Sequence, residues 1–334
     1  RAAIRGKHPG SRLSCCWREL GVAKDGRYTR YNTHTHYQSI NLYGTYLFSF
    51  NKQHNFTVMG GYQEEDNHYD YLRNSITGLY STKNPNVSMG TGDKTVTDVR
   101  NGWATRGFFG RINYDYENKY LLQVDGRYDG SSRFAKGHRW GFFPSVSAGW
   151  NITEEKFMEP LTKVLSHLKI RGSIGRLGNQ SGAALYTFAS TMSLSGGLGG
   201  YYFADGRHMY LNAPGVVNPA TTWEKVNSKK SCFDFALFNN TLTGSFDIFQ
   251  RTTKDMLGPG VDFPDFFGAS APQTNNASMR NRGWELVLNY RGKIAHQVDY
   301  QVGFSISDAT AVVTDYANPT GTNPESNWYT GKKV

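Results

Sequence analysis

The segment YLLQVDGRYDGSSRF spans residues 120–134. In its first half Tyr120, Leu122, Val124, Gly126 and Tyr128 alternate with Leu121, Gln123, Asp125, Arg127 and Asp129. A period of two places the first set on one face of a strand and the second, mostly polar set on the other. A half-buried sheet in a soluble domain and a strand in a membrane barrel both give this pattern. The choice rests on what the apolar face meets, a protein core or lipid.

Apolar residues are 38% of the 334, aromatics 14%, and 37 residues are Gly. So few aliphatic side chains have trouble filling a large closed core, but they can coat a surface. No run of about 18 apolar residues occurs, which excludes a membrane-spanning helix. The net charge is +10, yet residues 1–30 hold eight Lys/Arg against Glu19 and Asp25 and so account for +6 of it. A nucleic-acid groove would spread its cations among aromatics over the folded part, so no nucleic-acid partner is expected. The opening segment, RAAIRGKHPGSRLSCCWREL, has no periodicity. Residues 1–36 are therefore expected to be irregular, with residues 37–334 forming the folded domain. Cys15, Cys16 and Cys232 give no disulfide framework, because adjacent cysteines rarely pair without strain.

The alternation of 120–129 recurs along the chain. It is found in NLYGTYLFSF (41–50), FTVMGGYQ (56–63), GFFGRINYDY (107–116), FFPSVSAGWNI (142–152), LKIRGSIG (168–175), LTGSFDIF (242–249), GWELVLNYRG (283–292) and VDYQVGFSIS (298–307). With Trp223–Phe238, where KKSCFDFAL leaves the phase open, about ten strands result. Their connections alternate in size. Residues 51–55, 117–119, 239–240 and 292–297 are short; 65–104, 129–141, 177–222 and 251–282 are long; 153–167 is intermediate and reads as helical. All short links then lie at one end of the sheet and all long links at the other. Outer-membrane barrels have that asymmetry, and a β-sandwich has no reason to keep it. Phe48, Phe50, Phe56, Tyr114, Tyr116, Tyr120, Phe235, Phe238 and Tyr290 crowd the short turns, as an aromatic girdle would. The apolar face is thus expected to meet lipid. The lipid-facing set is Ile112, Tyr114, Leu122, Val124, Val146, Ala148, Leu286, Leu288, Val302 and Phe304; Arg111, Gln123, Asp125, Arg127, Asp129 and Asn289 are expected to face a wet lumen.

Longer blocks carry a resemblance. Asp129–Phe134, Trp140–Ser145, Ser147–Trp150 and Glu155–Phe157, followed by LKIRGSIGRLGNQ (168–180), NPATTWEKVNS (218–228), LFNNTLTGSFDIFQRTTKDML (237–257) and NNASMRNRGWELVLNY (275–290), occur in family order. From about residue 37 onward the chain resembles SusC/RagA-type TonB-dependent outer-membrane transporters of Bacteroidetes. The resemblance implies an all-β, antiparallel transmembrane barrel of the 22-stranded, plugged type, of which this chain would be a central slice. The plug, the TonB-contacting box and the final strands are then expected to lie outside it. It also implies location in the bacterial outer membrane, in contact with its lipid. The implied activity is TonB-driven import of an oligomeric glycan or peptide, with a SusD-like surface lipoprotein as lid and TonB as the energy source. The alternatives are a passive porin or adhesin barrel, and a secreted β-sheet binding module.

No nucleophile–base–acid order stands out, and no enzyme is inferred. His34 and His36 share a face, but no third ligand follows at a fixed spacing. Glu64, Glu65 and Asp66, at the entry to a long loop, lack the alternating oxygens of a calcium loop. GGLGG (196–200) has no Lys-Ser/Thr behind it. No cofactor or metal is expected. Substrate or lid contact is assigned to the long loops, through Tyr201, Tyr202, Phe203, Asp205, Arg207 and Tyr210 in one and Phe263, Phe266 and Phe267 in another. The signature stretch Asp129, Gly130, Ser131, Ser132, Arg133 and Phe134 has turn composition. It is expected to be structural, with Gly130 at positive φ and Arg133 and Arg139 tied to acids such as Asp125.

Overall fold

The computed structural model describes residues 2–20, 26–83, 85–195, 202–203, 206–207, 210–258, 260, 263–294, 298–316 and 328–334. Eleven strands form one antiparallel sheet: β1 (Ala2–Leu20), β2 (Tyr28–Phe50), β3 (His54–Ile76), β4 (Lys94–Tyr116), β5 (Tyr120–Ser131), β6 (Trp140–Asn151), β7 (Leu165–Asn179), β8 (Glu224–Leu237), β9 (Leu242–Gly258), β10 (Thr274–Ile294) and β11 (Val298–Tyr316). Every strand lies beside its neighbours in sequence, and β1 and β11 are the two outer members. The ten alternating segments are all strands. The eleventh, β1, corrects the expectation of an irregular segment over 1–36: Ala2 through Leu20 pair with Tyr46 through Thr29 of β2. β2 therefore has a partner on both sides over Thr29–Tyr46.

The burial pattern answers the opening question. Along β5 the apolar residues Tyr120, Leu122, Val124 and Tyr128 are exposed, while Gln123, Asp125, Arg127 and Asp129 are half-buried. β6 repeats this: Phe142, Val146, Ala148 and Trp150 are exposed, and Phe143, Ser145 and Ser147 are covered. A soluble sheet does the reverse, since burial of apolar area is what stabilises it. A wall with its oily face outward requires hydrocarbon outside. Leu122 is 42% exposed, Ile112 48%, Val302 60% and Phe304 55%. Two rows of rings edge the apolar belt. Near the short turns, Phe48, Phe56 and Tyr114 follow one another at 4.9 Å, and Tyr116, Tyr120 and Trp150 at 6.2 and 6.4 Å. At the other edge Tyr62 meets Phe108 at 5.2 Å and Tyr128 stacks on Trp140 at 4.9 Å.

The short turns use left-handed backbone: Asn51 and Lys52 (φ 50° and 59°), Glu117 and Asn118 (49° and 55°), and Phe238, Asn239 and Asn240 (52°, 54° and 66°). Tight hairpins need this hand of turn, and Asn tolerates it best. The intermediate link is two 3-10 turns, Ile152–Glu154 and Lys156–Leu161, rather than one helix. Pro160 lacks the N–H an α-helix would use there. The long links are shorter than their alternation suggests. β3 and β4 stay paired as far as Ile76 and Lys94, and β9 and β10 as far as Gly258 and Thr274. Beyond the belt both faces meet water, so the period-two signal ends while the hydrogen-bond ladder continues. Glu64, Glu65 and Asp66 accordingly lie inside β3 and not in a loop. In β8, Phe233 pairs with Ile170 on the oily face, and Cys232 pairs with Arg171 on the polar one.

Candidate functional site

The polar face of the wall is an ion-paired surface. Its acids and bases come mostly from facing strands, because directly paired residues of an antiparallel ladder share a face. The Arg111 guanidinium on β4 donates to Asp125 on β5, and Gln123 donates to the same carboxylate at 2.7 Å. Arg127 holds Asp129 with two hydrogen bonds, at 2.9 and 3.1 Å, and donates to Gln63 on β3 at 3.2 Å. Its guanidinium also lies 5.4 Å from the Phe109 ring centre. Arg171 on β7 binds Asp234 on β8 through two bonds of 2.7 and 3.1 Å, and Lys230 reaches Asp247 on β9 at 3.0 Å. A concavity of about 660 Å³ opens on this face, lined by Asn113, Gln123, Asp125, Ser147, Lys169 and Arg171 among others. Asn289 shares the face, opposite Gly303 and Thr243. All six residues expected toward the lumen thus lie on the side away from Leu122, and five of them sit in or beside one network. Such a surface can carry polar cargo or contact a polar domain.

At the long-loop end the wall carries a small core on the same side. Phe134, Phe143, Ala183 and Trp223 are buried together, with Leu257 against them. The Trp223 ring lies 5.3 Å from Phe134 and 5.4 Å from Phe143, and its indole N–H donates to the Arg139 carbonyl at 2.7 Å. Glu224 accepts from Asn179 Nδ2 at 2.6 Å and from the Leu257 amide at 3.0 Å. Asn275 Nδ2 donates to the carbonyls of Thr222 and Asp255. The mouth loops after β5 and β7 are thereby fastened to one another and to the ends of β9 and β10. Sequence reasoning missed Ala183, Trp223 and Leu257; the signal was a Trp inside the polar run NPATTWE.

The signature stretch feeds this core. Asp129 belongs to the polar network. Gly130 lies within β5 and does not adopt positive φ; a Cβ there would meet the Trp140 ring at 2.8 Å. The left-handed glycine of this connection is Gly137, at φ 99°. Ser131 accepts from the Arg133 amide, and Ser132 exchanges bonds with Ala104 of β4 at 2.8 and 2.9 Å. Arg133 Nη1 donates to the Ala183 carbonyl at 2.7 Å, and Arg139 Nε to the Phe134 carbonyl at 3.0 Å. Both therefore bind backbone, where pairing with Asp125 was expected; Arg111 already occupies that acid. Phe134 is fully buried.

The loop aromatics are only partly brought together. Tyr201 and Asp205 lie outside the described residues. Tyr202–Phe203 pairs with Gly206–Arg207, and Tyr210–Leu211 with Leu194–Ser195. Phe263 and Phe267 touch, with ring centres 4.7 Å apart, while Phe266 is 91% exposed.

The family model described as TonB dependent receptor-like, beta-barrel matches residues 10–334. The chain is 30% identical over 270 residues to the TonB-dependent receptor SusC of Bacteroides thetaiotaomicron, covering 80% of this chain and 26% of that protein. It is 30% identical over 247 residues to TonB-dependent receptor P26 of Formosa agariphila, covering 73% and 24%. Among solved structures, the RagAB peptide transporter superposes with a TM-score of 0.80 at 24% identity, over 91% of this chain and 34% of that one. The chain spans about a quarter of the length of these curated relatives. With its oily face outward, its paired charges inward and this family match over nearly its whole length, the chain belongs to the TonB-dependent receptor-like β-barrels of the bacterial outer membrane, and among them to the SusC/RagA type.

Proposed function

We propose that the protein to which this wall belongs imports an oligomeric nutrient, glycan or peptide, across the outer membrane, with TonB supplying the energy and a SusD-like surface lipoprotein closing the outer mouth. One observation carries the reading: the polar face carries ion pairs on strands from β4 to β9, while the opposite face is apolar and exposed. Such a wall separates lipid from a wet interior. The matched relatives are TonB-dependent receptors, which favours an energised receptor over a passive pore or an enzyme. The long loops are the proposed lid- and substrate-contacting parts, through Tyr201, Tyr202, Phe203, Asp205, Arg207, Tyr210, Phe263, Phe266 and Phe267. The exposure of Phe266 supports this: a ring held in water is available to stack on a sugar or a peptide side chain.

The test is uptake by whole cells carrying the full-length receptor. Labelled glycan and peptide mixtures are supplied before and after deletion of TonB, and before and after dissipation of the proton gradient. Import of one class that stops in both conditions is the expected result. Import that continues in both identifies a passive pore and refutes the reading.

A further inference from the structure

The outward face holds a feature that nutrient import does not use. On β6 to β10 the oily surface is indented. Ala148, Gly172 and Ser231 are small, and Val146, Ile174 and Ile248 stand around them. The depression measures about 950 Å³. A second, of about 880 Å³, adjoins it toward the long loops and shares Val146, Ile174, Lys229 and Gln250. The rim between and above them is mainly basic, with Asp308 beside Trp284 and Asp255 at the second depression as its acids. Ladder pairing puts Lys229 and Arg282 beside Gln250, Arg176 beside Asn227, and Lys225 beside Lys254, all on the outward face. Arg176 donates to Asn227 at 3.0 Å and Arg282 to Gln250 at 2.7 Å, so both keep neutral partners. Lys225 pairs with Asp255 at 2.8 Å. Lys229 and Lys254 form no ion pair among the described residues.

The corresponding tails of β3 and β4 differ. There Glu64 meets Arg106 at 2.8 Å, Asp66 meets His68 at 2.9 Å, and Arg100 stands near Asp70 and Asp98 at 3.7 and 3.8 Å. That side neutralises itself; the β7–β10 side keeps an excess of positive charge directly above an apolar trough. Oily chain below and anionic head above is the chemistry of a phosphate-bearing lipid. Guanidinium forks and ammonium groups bind phosphate oxygens, and basic residues at the headgroup level hold anionic lipid. We propose that this face holds a phosphate-bearing anionic lipid of the outer leaflet, its acyl chain along Ala148, Gly172 and Ser231 and its phosphate among Lys229, Lys254 and Arg282.

The full-length receptor is placed in nanodiscs of equal phosphatidylglycerol and phosphatidylcholine, and the lipids it retains are counted by native mass spectrometry. The wild type is expected to retain phosphatidylglycerol in preference. In the triple variant Lys229→Gln, Lys254→Gln, Arg282→Gln that preference should fall by about a hundredfold, about fivefold per cation. Gly172→Leu keeps every charge and fills the trough; the nearest atom to its Cβ is the Lys230 carbonyl oxygen at 3.9 Å, so the wall accommodates it. It should lose retained lipid as well. Raising the salt on the wild type gives a third reading, expected to reduce phosphatidylglycerol retention alone. Equal retention of both lipids by the wild type, or of phosphatidylglycerol by all variants, overturns the proposal. So does a doubled mass that the triple variant returns to a single copy, which would give the trough to a second copy of the protein.

Discussion

Leu122 and Gln123 are neighbours in the chain and face different solvents. Leu122 stands in hydrocarbon, and Gln123 donates to Asp125 inside the wall. Leu122→Arg is expected to destabilise the full-length barrel by about 2–4 kcal/mol, and Gln123→Arg to have a mild effect. Urea unfolding in lipid vesicles reads the difference. Near-equal losses would contradict the assignment of faces. Glu155, in the link between β6 and β7, titrates below its ordinary 4.5 because the Tyr120 hydroxyl and the Trp150 indole donate to its carboxylate. A depressed folded value gives stability that is present above the ordinary carboxylate range and is lost as pH falls through the lowered one. Wild type and Glu155→Gln should therefore separate in unfolding experiments at neutral pH and converge in acid. A gap that persists at low pH would assign the effect to packing instead. At this scale the sequence was readable wherever a residue's role depends on parity alone. Arg133 and Gly130 were misread because their partners, the Ala183 carbonyl and the Trp140 ring, depend on how distant segments fold back.

A strand element is legible while one of its faces meets lipid. Between the rows of rings, alternation located the strands from β2 to β11 other than β8, whose phase KKSCFDFAL left open. Beyond them β3 and β4 continue with Asn67, His68, Tyr69 and Asp70, where no period separates two wet faces, and the strand ends were lost with the contrast. β1 lacked alternation throughout and emerged only through its ladder to β2. The mouth core is an element of another sort, held by rings rather than by a ladder. Trp223→Ala removes its largest side chain and should cost about 3–5 kcal/mol of local stability. The expected reading is faster proteolytic cleavage in 132–139 and 180–184, with the belt untouched; an unchanged digestion pattern would mean that the loops are fastened elsewhere. Gly178 lies under the Phe143 ring, and a side chain there collides with it. Gly178→Val should cost about 1–3 kcal/mol by overpacking and give the same cleavage pattern. Protection equal to wild type would show that the ring has room to move.

For the whole molecule, reagent partition maps the wall. In a full-length protein with Cys15, Cys16 and Cys232 replaced by Ser, Ser147→Cys should react with a water-soluble maleimide, and Val146→Cys only with a lipid-soluble one. Equal reaction of both with the water-soluble reagent would refute a lipid-facing surface. The membrane assignment was legible because two features agreed along the chain: the alternating length of the links and the aromatics crowded at the short ones. The loop chemistry was not, because recognition residues on connections obey no period; Phe263 and Phe267 pair while Phe266 turns to water, and spacing predicts neither. The sheet order, in which each strand sits beside its chain neighbour, also sets a timetable. Adjacent strands joined by tight turns meet within microseconds, since little chain entropy is lost in closing them. The longest separation lies between β7 and β8, which must find each other across residues 180–223. Assembly in the cell is therefore expected to run as two preformed ribbons, β1–β7 and β8–β11, whose late joining is the slow, chaperone-exposed event.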